Sequence, residues 1–230
     1  MIGKLLEVGH NDFPEALRNI ANPPVGLYCL GDVSALSAEH LIAIIGTREP
    51  SEEGLKVARE AGRIAARLGY VVVNGLALGV DTAALKGALD EGGRCVVTLP
   101  SGLDDIYPPS NKDLADRIEV NRGCMVSEYP DGSEPQKHTF IERDRLQSGL
   151  SDAVIVIEAD KESGTMHTTG FARRQGKRIA CYISPELKHN SGGEELVSLG
   201  QAMEIRDFGA MEAFMKHMLS VPRFTQRRLF

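Results

Sequence analysis

Short runs that are apolar at nearly every position alternate along this chain with longer amphipathic stretches. That alternation restricts the fold more than any other feature. Ile42-Ala43-Ile44-Ile45, Tyr70-Val71-Val72-Val73, Cys95-Val96-Val97-Thr98-Leu99, Cys124-Met125-Val126-Ser127, Ala153-Val154-Ile155-Val156-Ile157 and Arg178-Ile179-Ala180-Cys181-Tyr182-Ile183 read as strands. Continuous apolar character marks strands buried on both faces. Between them the sequence predicts helices from Ser51 to near Leu68, Val80 to Glu91, Asn111 to Asn121, Thr165 to Arg174, and in part from His138 to Leu150. Ser51 suits an N-cap with Glu52 and Glu53 behind it, and Gly69 suits a stop. A short strand near Ala202 to Ile205 and a helix from Gly209 to Leu219 follow. Strands that alternate with helices pair in parallel through right-handed crossovers. The expected architecture is α/β, with a doubly wound, mostly parallel sheet.

The ends of the chain read differently. Phe13 to Ile20 predicts a short helix with Pro14 near its start, Pro23-Pro24 breaks it, and Val25 to Leu30 predicts an extra strand. Residues 1–38 are therefore expected to form an N-terminal extension packed on a core of residues 39–220. Residues 221–230 form a basic tail with two aromatics, read as a mobile tail or as an arm that touches DNA or a partner.

Composition narrows the function classes. The chain has 230 residues and a net charge of −6, which argues against nucleic-acid binding through bulk charge and leaves room for a local basic pocket. No apolar run reaches the ~18 residues that span a bilayer, and the first residues lack a signal-peptide pattern. Cys29, Cys95, Cys124 and Cys181 are too far apart in sequence for a zinc-type pair, and they read as reduced, buried thiols of a cytoplasmic protein.

In a doubly wound sheet the ligand site lies beyond the carboxyl ends of the strands, so the loops there carry the argument. Gly46-Thr47-Arg48 offers close backbone approach, a hydroxyl and a bidentate fork for phosphate. Gly75, Leu76, Ala77 and Gly79 stand in Asn74-Gly75-Leu76-Ala77-Leu78-Gly79-Val80-Asp81, where glycines at a helix start suit an anion on exposed N–H groups; a tight turn is the plainer alternative. That loop is neither a dinucleotide fingerprint nor a Walker A loop. Gly102, Tyr107 and Asn111 lie in a long loop after the third core strand. Arg143 and Arg145 are interleaved with Glu142 and Asp144, either paired internally or turned toward phosphate. Ser163, Gly164, Thr165 and Thr168 open a helix, where hydroxyls and N–H groups favour an anion. His167 stands among them without a visible nucleophile partner.

In this order the motifs resemble the DNA-processing protein A (DprA/Smf) family. The matching residues are Asn22-Pro23-Pro24-Val25-Gly26-Leu27-Tyr28, Ile44-Ile45-Gly46-Thr47-Arg48, Asn74 to Asp81, Gly102 to Asn111, Ser127-Glu128-Tyr129-Pro130, Arg143-Asp144-Arg145, Gly149-Leu150-Ser151, Glu158-Ala159 and Ser163-Gly164-Thr165. The resemblance implies an extended Rossmann-like fold, usually dimeric. It implies binding of single-stranded DNA at the strand ends and loading of a RecA-type recombinase during DNA uptake or repair. It implies no cofactor and no catalysis. Arg48 resembles the family arginine that contacts DNA phosphate, and Arg143 and Arg145 the second basic element. The sequence departs from the family where Thr82-Ala83-Ala84-Leu85 replaces a histidine-bearing segment after Asp81. It also departs where Phe140-Ile141-Glu142-Arg143-Asp144-Arg145 adds acids beside the basic pair.

Two other functions are weighed. A small-nucleotide sensor could use the same groove. A phosphoribohydrolase-type enzyme would need a catalytic Glu after the glycine loop, but Ser163-Gly164-Thr165-Met166-His167-Thr168 contains no acid.

Overall fold

The computed structural model describes residues 3–221. The first core strand is β3 (Leu41–Ile45), preceded by β1 (Lys4–Glu7), α1 (Glu15–Arg18) and β2 (Gly26–Gly31). After it come α2 (Glu52–Arg67), β4 (Val71–Asn74), α3 (Val80–Asp90), β5 (Cys95–Thr98), α4 (Lys112–Val120) and β6 (Cys124–Ser127). The chain continues with α5 (Lys137–Leu150), β7 (Ala153–Val156), α6 (Thr165–Arg174), β8 (Arg178–Tyr182), α7 (Ser191–Ser198), β9 (Met203–Ile205) and α8 (Phe208–Leu219). The strands form one sheet in the order β1-β2-β6-β5-β4-β3-β7-β8-β9. From β6 to β9 all pairings are parallel, as the apolar runs predict.

From β3 the chain winds outward through β4 to β6, then returns to the other side of β3 with β7 and winds outward again to β9. The order reverses between β3 and β7, and the crevice beyond their carboxyl ends is the place where such sheets hold ligands. Burial explains the layers. Ile42, Ile44, Val72 and Val97 face α2, α3, α4 and α8, while Leu41, Val73, Val96 and Val126 face α5, and Ala43, Ile45, Val154 and Val156 face α6 and α7.

The first 38 residues do more than pack on the core. β2 pairs antiparallel with β6, and β1 with β2, so the segment lengthens the sheet itself. Arg145 fastens it, donating from Nε to the Asn22 carbonyl at 2.9 Å. The four cysteines are free and buried, and burial pushes the Cys95 and Cys181 thiols up to about 12. Ser51 caps α2 as expected, its Oγ accepting from Gly54 N at 3.0 Å. No helix among the described residues is long and apolar enough to cross a membrane. Residues 222–230, most of the basic tail, lie outside the described residues.

Helices α2 and α3 cross closely because glycine stands at both contact points. A Cβ on Gly62 would collide with the Ala84 carbonyl oxygen, and one on Gly87 with the Arg59 carbonyl oxygen. Neither neighbour is a flexible side chain that could move aside. Gly87→Ala is therefore expected to destabilise the fold by about 1–3 kcal/mol through overpacking. Thermal unfolding checks this, and an unchanged melting temperature would contradict the packing argument.

Candidate nucleic-acid interface

A groove of about 840 Å³ opens at the switch point. Its walls come from the β3–α2 loop, the start of α3, the loop after β5, the first turns of α5, the start of α6 and the loop after β8. Buried Glu158, just after β7, joins two of these parts. Its Oε2 accepts from Ser51 N and Ser51 Oγ, at 3.0 and 2.8 Å, and its Oε1 from Lys188 N and His189 N, both at 3.0 Å. Four donors satisfy the carboxylate, which makes its burial affordable.

The floor of the groove is a buried charge cluster. Arg143 is 5 % exposed; its Nη1 donates to the Thr98 carbonyl at 3.1 Å. Its Nε lies 3.2 Å from Asp144 Oδ1, a charge contact that is not aligned as a hydrogen bond. A Cβ on Gly75 would fall on the guanidinium, so only glycine lets the arginine pass the β4 loop. Asp144 is pushed up to about 7, first by burial; Arg143 opposes this, Asp81 adds to it, and Thr168 bonds the carboxylate. Asp81 is also raised, by burial, with Arg143 opposing.

The rim is different. Arg48 is exposed, and among the described residues no carboxylate forms an ion pair with it. Its guanidinium sits 5.3 Å over the Phe140 ring, and Phe140 meets Tyr107 edge-on at 5.5 Å. Exposed Lys137 stands on the same side. The cluster offers π-faces and two cations.

Ten of the residues singled out in the sequence line the groove: Gly46, Thr47, Arg48, Ala77, Tyr107, Arg143, Ser163, Gly164, Thr165 and Thr168. Gly75 borders a small side pocket against Arg143. Leu76, Gly79, Gly102, Asn111 and Arg145 do not line the groove. Leu76 is buried at a φ of +59°, and Gly79 turns the chain into α3 at +77°. Gly102 lies under the Ser133 carbonyl. Asn111 is buried and donates to the Leu76 carbonyl and to Thr82 Oγ1, both at 2.8 Å.

Two expectations need correction. The N–H groups of Gly75 and Ala77 are not presented to a ligand, because Asp81 Oδ2 accepts from both, at 2.9 and 3.2 Å. The anion that this loop holds is the chain's own aspartate. Arg145 is not a second basic element beside Arg143. Both stand on α5, where residues two apart point to opposite sides. Arg145 forms a bidentate pair with Glu128, at 2.5 and 2.6 Å. The sequence reading of the loops left out Lys137, Gln147, Asp160 and His189, all of which line the groove. The helical period of α5 places Lys137, Phe140 or Ile141, Asp144 and Gln147 on one face, and would have indicated Lys137 and Gln147.

The sequence model of the DNA recombination-mediator protein A family matches residues 4–216. The chain belongs to this family. Protein Smf of Synechocystis is 35% identical over 82% of this chain and 48% of its own length, and DNA processing protein DprA of Bacillus subtilis is 34% identical over 82% and 63%. The chain thus spans about half to two-thirds of these relatives. A solved structure of DNA processing protein A from Helicobacter pylori, studied for its single-stranded DNA binding mode, superposes with a TM-score of 0.83 at 32% identity, covering 95% of this chain and 98% of that one. DprA from Streptococcus pneumoniae superposes with a TM-score of 0.83 at 30% identity, over 92% and 74%. A molybdenum cofactor carrier protein from Chlamydomonas reinhardtii, at 20% identity and a TM-score of 0.56, shares the fold alone.

The buried cluster makes a pH prediction. A carboxyl whose folded-state value is raised gives the folded state an excess of bound protons, so stability falls as pH rises from the ordinary value of 3.8 through about 7. Asp144→Asn removes that dependence. The melting temperature of the variant relative to wild type should therefore rise between about pH 5 and about pH 8. A difference that stays constant across this range would show that Asp144 does not titrate there.

Proposed function

We propose that the chain binds single-stranded DNA in the switch-point groove and assists recombination or DNA uptake, covering the strand and helping to load a RecA-type recombinase. The observation that carries this reading is Arg48, a guanidinium in no ion pair among the described residues, held over Phe140 beside Tyr107 at the mouth of the groove. Such a set suits a backbone phosphate with a base against an aromatic face. Family membership and the likeness to the Helicobacter pylori protein support the same reading. It includes a homodimer working in the cytoplasm. We assign it no catalytic step and no cofactor.

The net charge of −6 makes local charge decisive. The floor's one cation, Arg143, is buried against Asp144 and Asp81, so the strand's backbone runs along the rim by Arg48 and Lys137. A second reading, a small-nucleotide ligand, draws on Ser163 Oγ, which is buried without a hydrogen-bond partner at the start of α6. The two differ in salt response: a discrete ligand binds with little salt dependence, a strand with much.

Fluorescence anisotropy with a labelled oligonucleotide tests the proposal. Wild type should bind at low salt and release as salt rises. Arg48→Ala should weaken binding by about 10- to 100-fold, the worth of a charged hydrogen bond. Absence of binding by wild type at low salt would overturn the proposal.

A further inference from the structure

Helix α6 carries a stripe that runs on from the groove. His167 lines the groove at the first turn of the helix. Gly170, Phe171 and Arg174 follow at three-, four- and seven-residue spacing, so they share its face. Thr168, Thr169 and Ala172 are buried on the opposite side, while His167 and Arg174 are exposed and Phe171 is half-buried. The Arg174 guanidinium lies 4.6 Å over the Phe171 ring. Gly170 keeps the lane between them low, since an added Cβ would meet only Arg174 Nη1, at 3.5 Å.

The charge on this stripe is available. Arg59, Arg63, Arg67, Arg117, Arg122, Arg143, Arg145 and Arg206 are all engaged with carboxylates. Among the described residues Arg173 and Arg174 have no such partner. A basic last turn complements the helix dipole, but that effect does not call for a stacked arginine on an open face. The pairing of a free arginine with a phenylalanine ring repeats that of Arg48 and Phe140 in the groove. At 1.5 Å of rise per residue, the seven residues from His167 to Arg174 span about 10 Å, or roughly one to two nucleotides of an extended strand.

We infer that single-stranded DNA leaves the groove past His167 and runs along α6, with Phe171 and Arg174 forming a second stacking and phosphate-binding step. This inference rests on the groove being a single-strand site. The occupant is an extended nucleic-acid strand, because the stripe continues the groove and combines free positive charge with an aromatic face. A double helix presents stacked, enclosed bases and would gain nothing from Phe171.

The test compares labelled oligothymidylates of about 4 and about 12 nucleotides, the range over which single-strand sites extend. The full chain is used as wild type, Arg48→Ala, Phe171→Ala, Arg174→Ala and Arg174→Lys, with thermal melting to show that each is folded. Phe171→Ala and Arg174→Ala should weaken binding of the longer oligomer by about five- to tenfold and leave the shorter one within about twofold. Arg174→Ala should also reduce the salt slope for the longer oligomer by about 0.7, the share of one phosphate. Arg174→Lys should keep that slope yet bind more weakly than wild type, because lysine lacks the planar group that stacks. Arg48→Ala should weaken both lengths. Wild-type binding of both lengths with no change in the α6 variants, or equal weakening of both lengths by them, would overturn the α6 path while leaving the groove reading in place. Failure of wild type to bind either length would overturn both.

Discussion

Arg143 is the residue through which the site is built. Its guanidinium passes over Gly75, donates to the end of β5 at the Thr98 carbonyl, and stands between Asp144 on α5 and Asp81 on α3. A buried guanidinium needs carboxylate company, and a buried carboxylate needs cationic company. The β4–α3 loop, the end of β5 and helices α3 and α5 are thereby held in one arrangement. Asp81 serves twice, since the oxygen that gathers the Gly75 and Ala77 N–H groups belongs to the carboxylate stabilised by Arg143. The cluster makes the groove floor rigid and leaves it with little net positive charge.

The consequence for function follows from where positive charge remains. An acidic chain cannot hold a polyanion by its overall field. It must present a few unpaired cations at a defined edge, and Arg48 on its aromatic support is such a cation. Specific burial below and free charge above divide the groove into a scaffold and a binding rim. Glu158 does for the α6 side what Arg143 does for the α5 side, fixing the start of α2 against the loop at Lys188 and His189.

Much of this was legible in the sequence. The apolar strands, the capped α2 and the span of α6 follow from periodicity and end signals, because those elements bury one continuous surface. β1 escaped because only Leu6 of its four residues is buried, and α7 because it begins Ser191-Gly192-Gly193, which helix propensity disfavours. α5 was read only in part because its buried side includes Arg143, Asp144, Gln147 and Ser148, so no apolar stripe reveals the period. Of the two readings left open for Arg145, internal pairing is the one the helix favours: residues two apart on α5 part company, and Arg145 meets Glu128. The role of Asp81 lay beyond pattern reading, since it depends on a loop folding back on its own helix start.

The most direct test of the account is hydrogen exchange by mass spectrometry, with and without a single-stranded oligonucleotide. If the switch-point groove is the binding site, protection should concentrate at the β3–α2 loop around Arg48, the start of α5 around Lys137 to Phe140, and the start of α6 around Thr165 to Thr168. Protection confined to β1 and β2 at the far edge of the sheet, with these three segments unchanged, would contradict it.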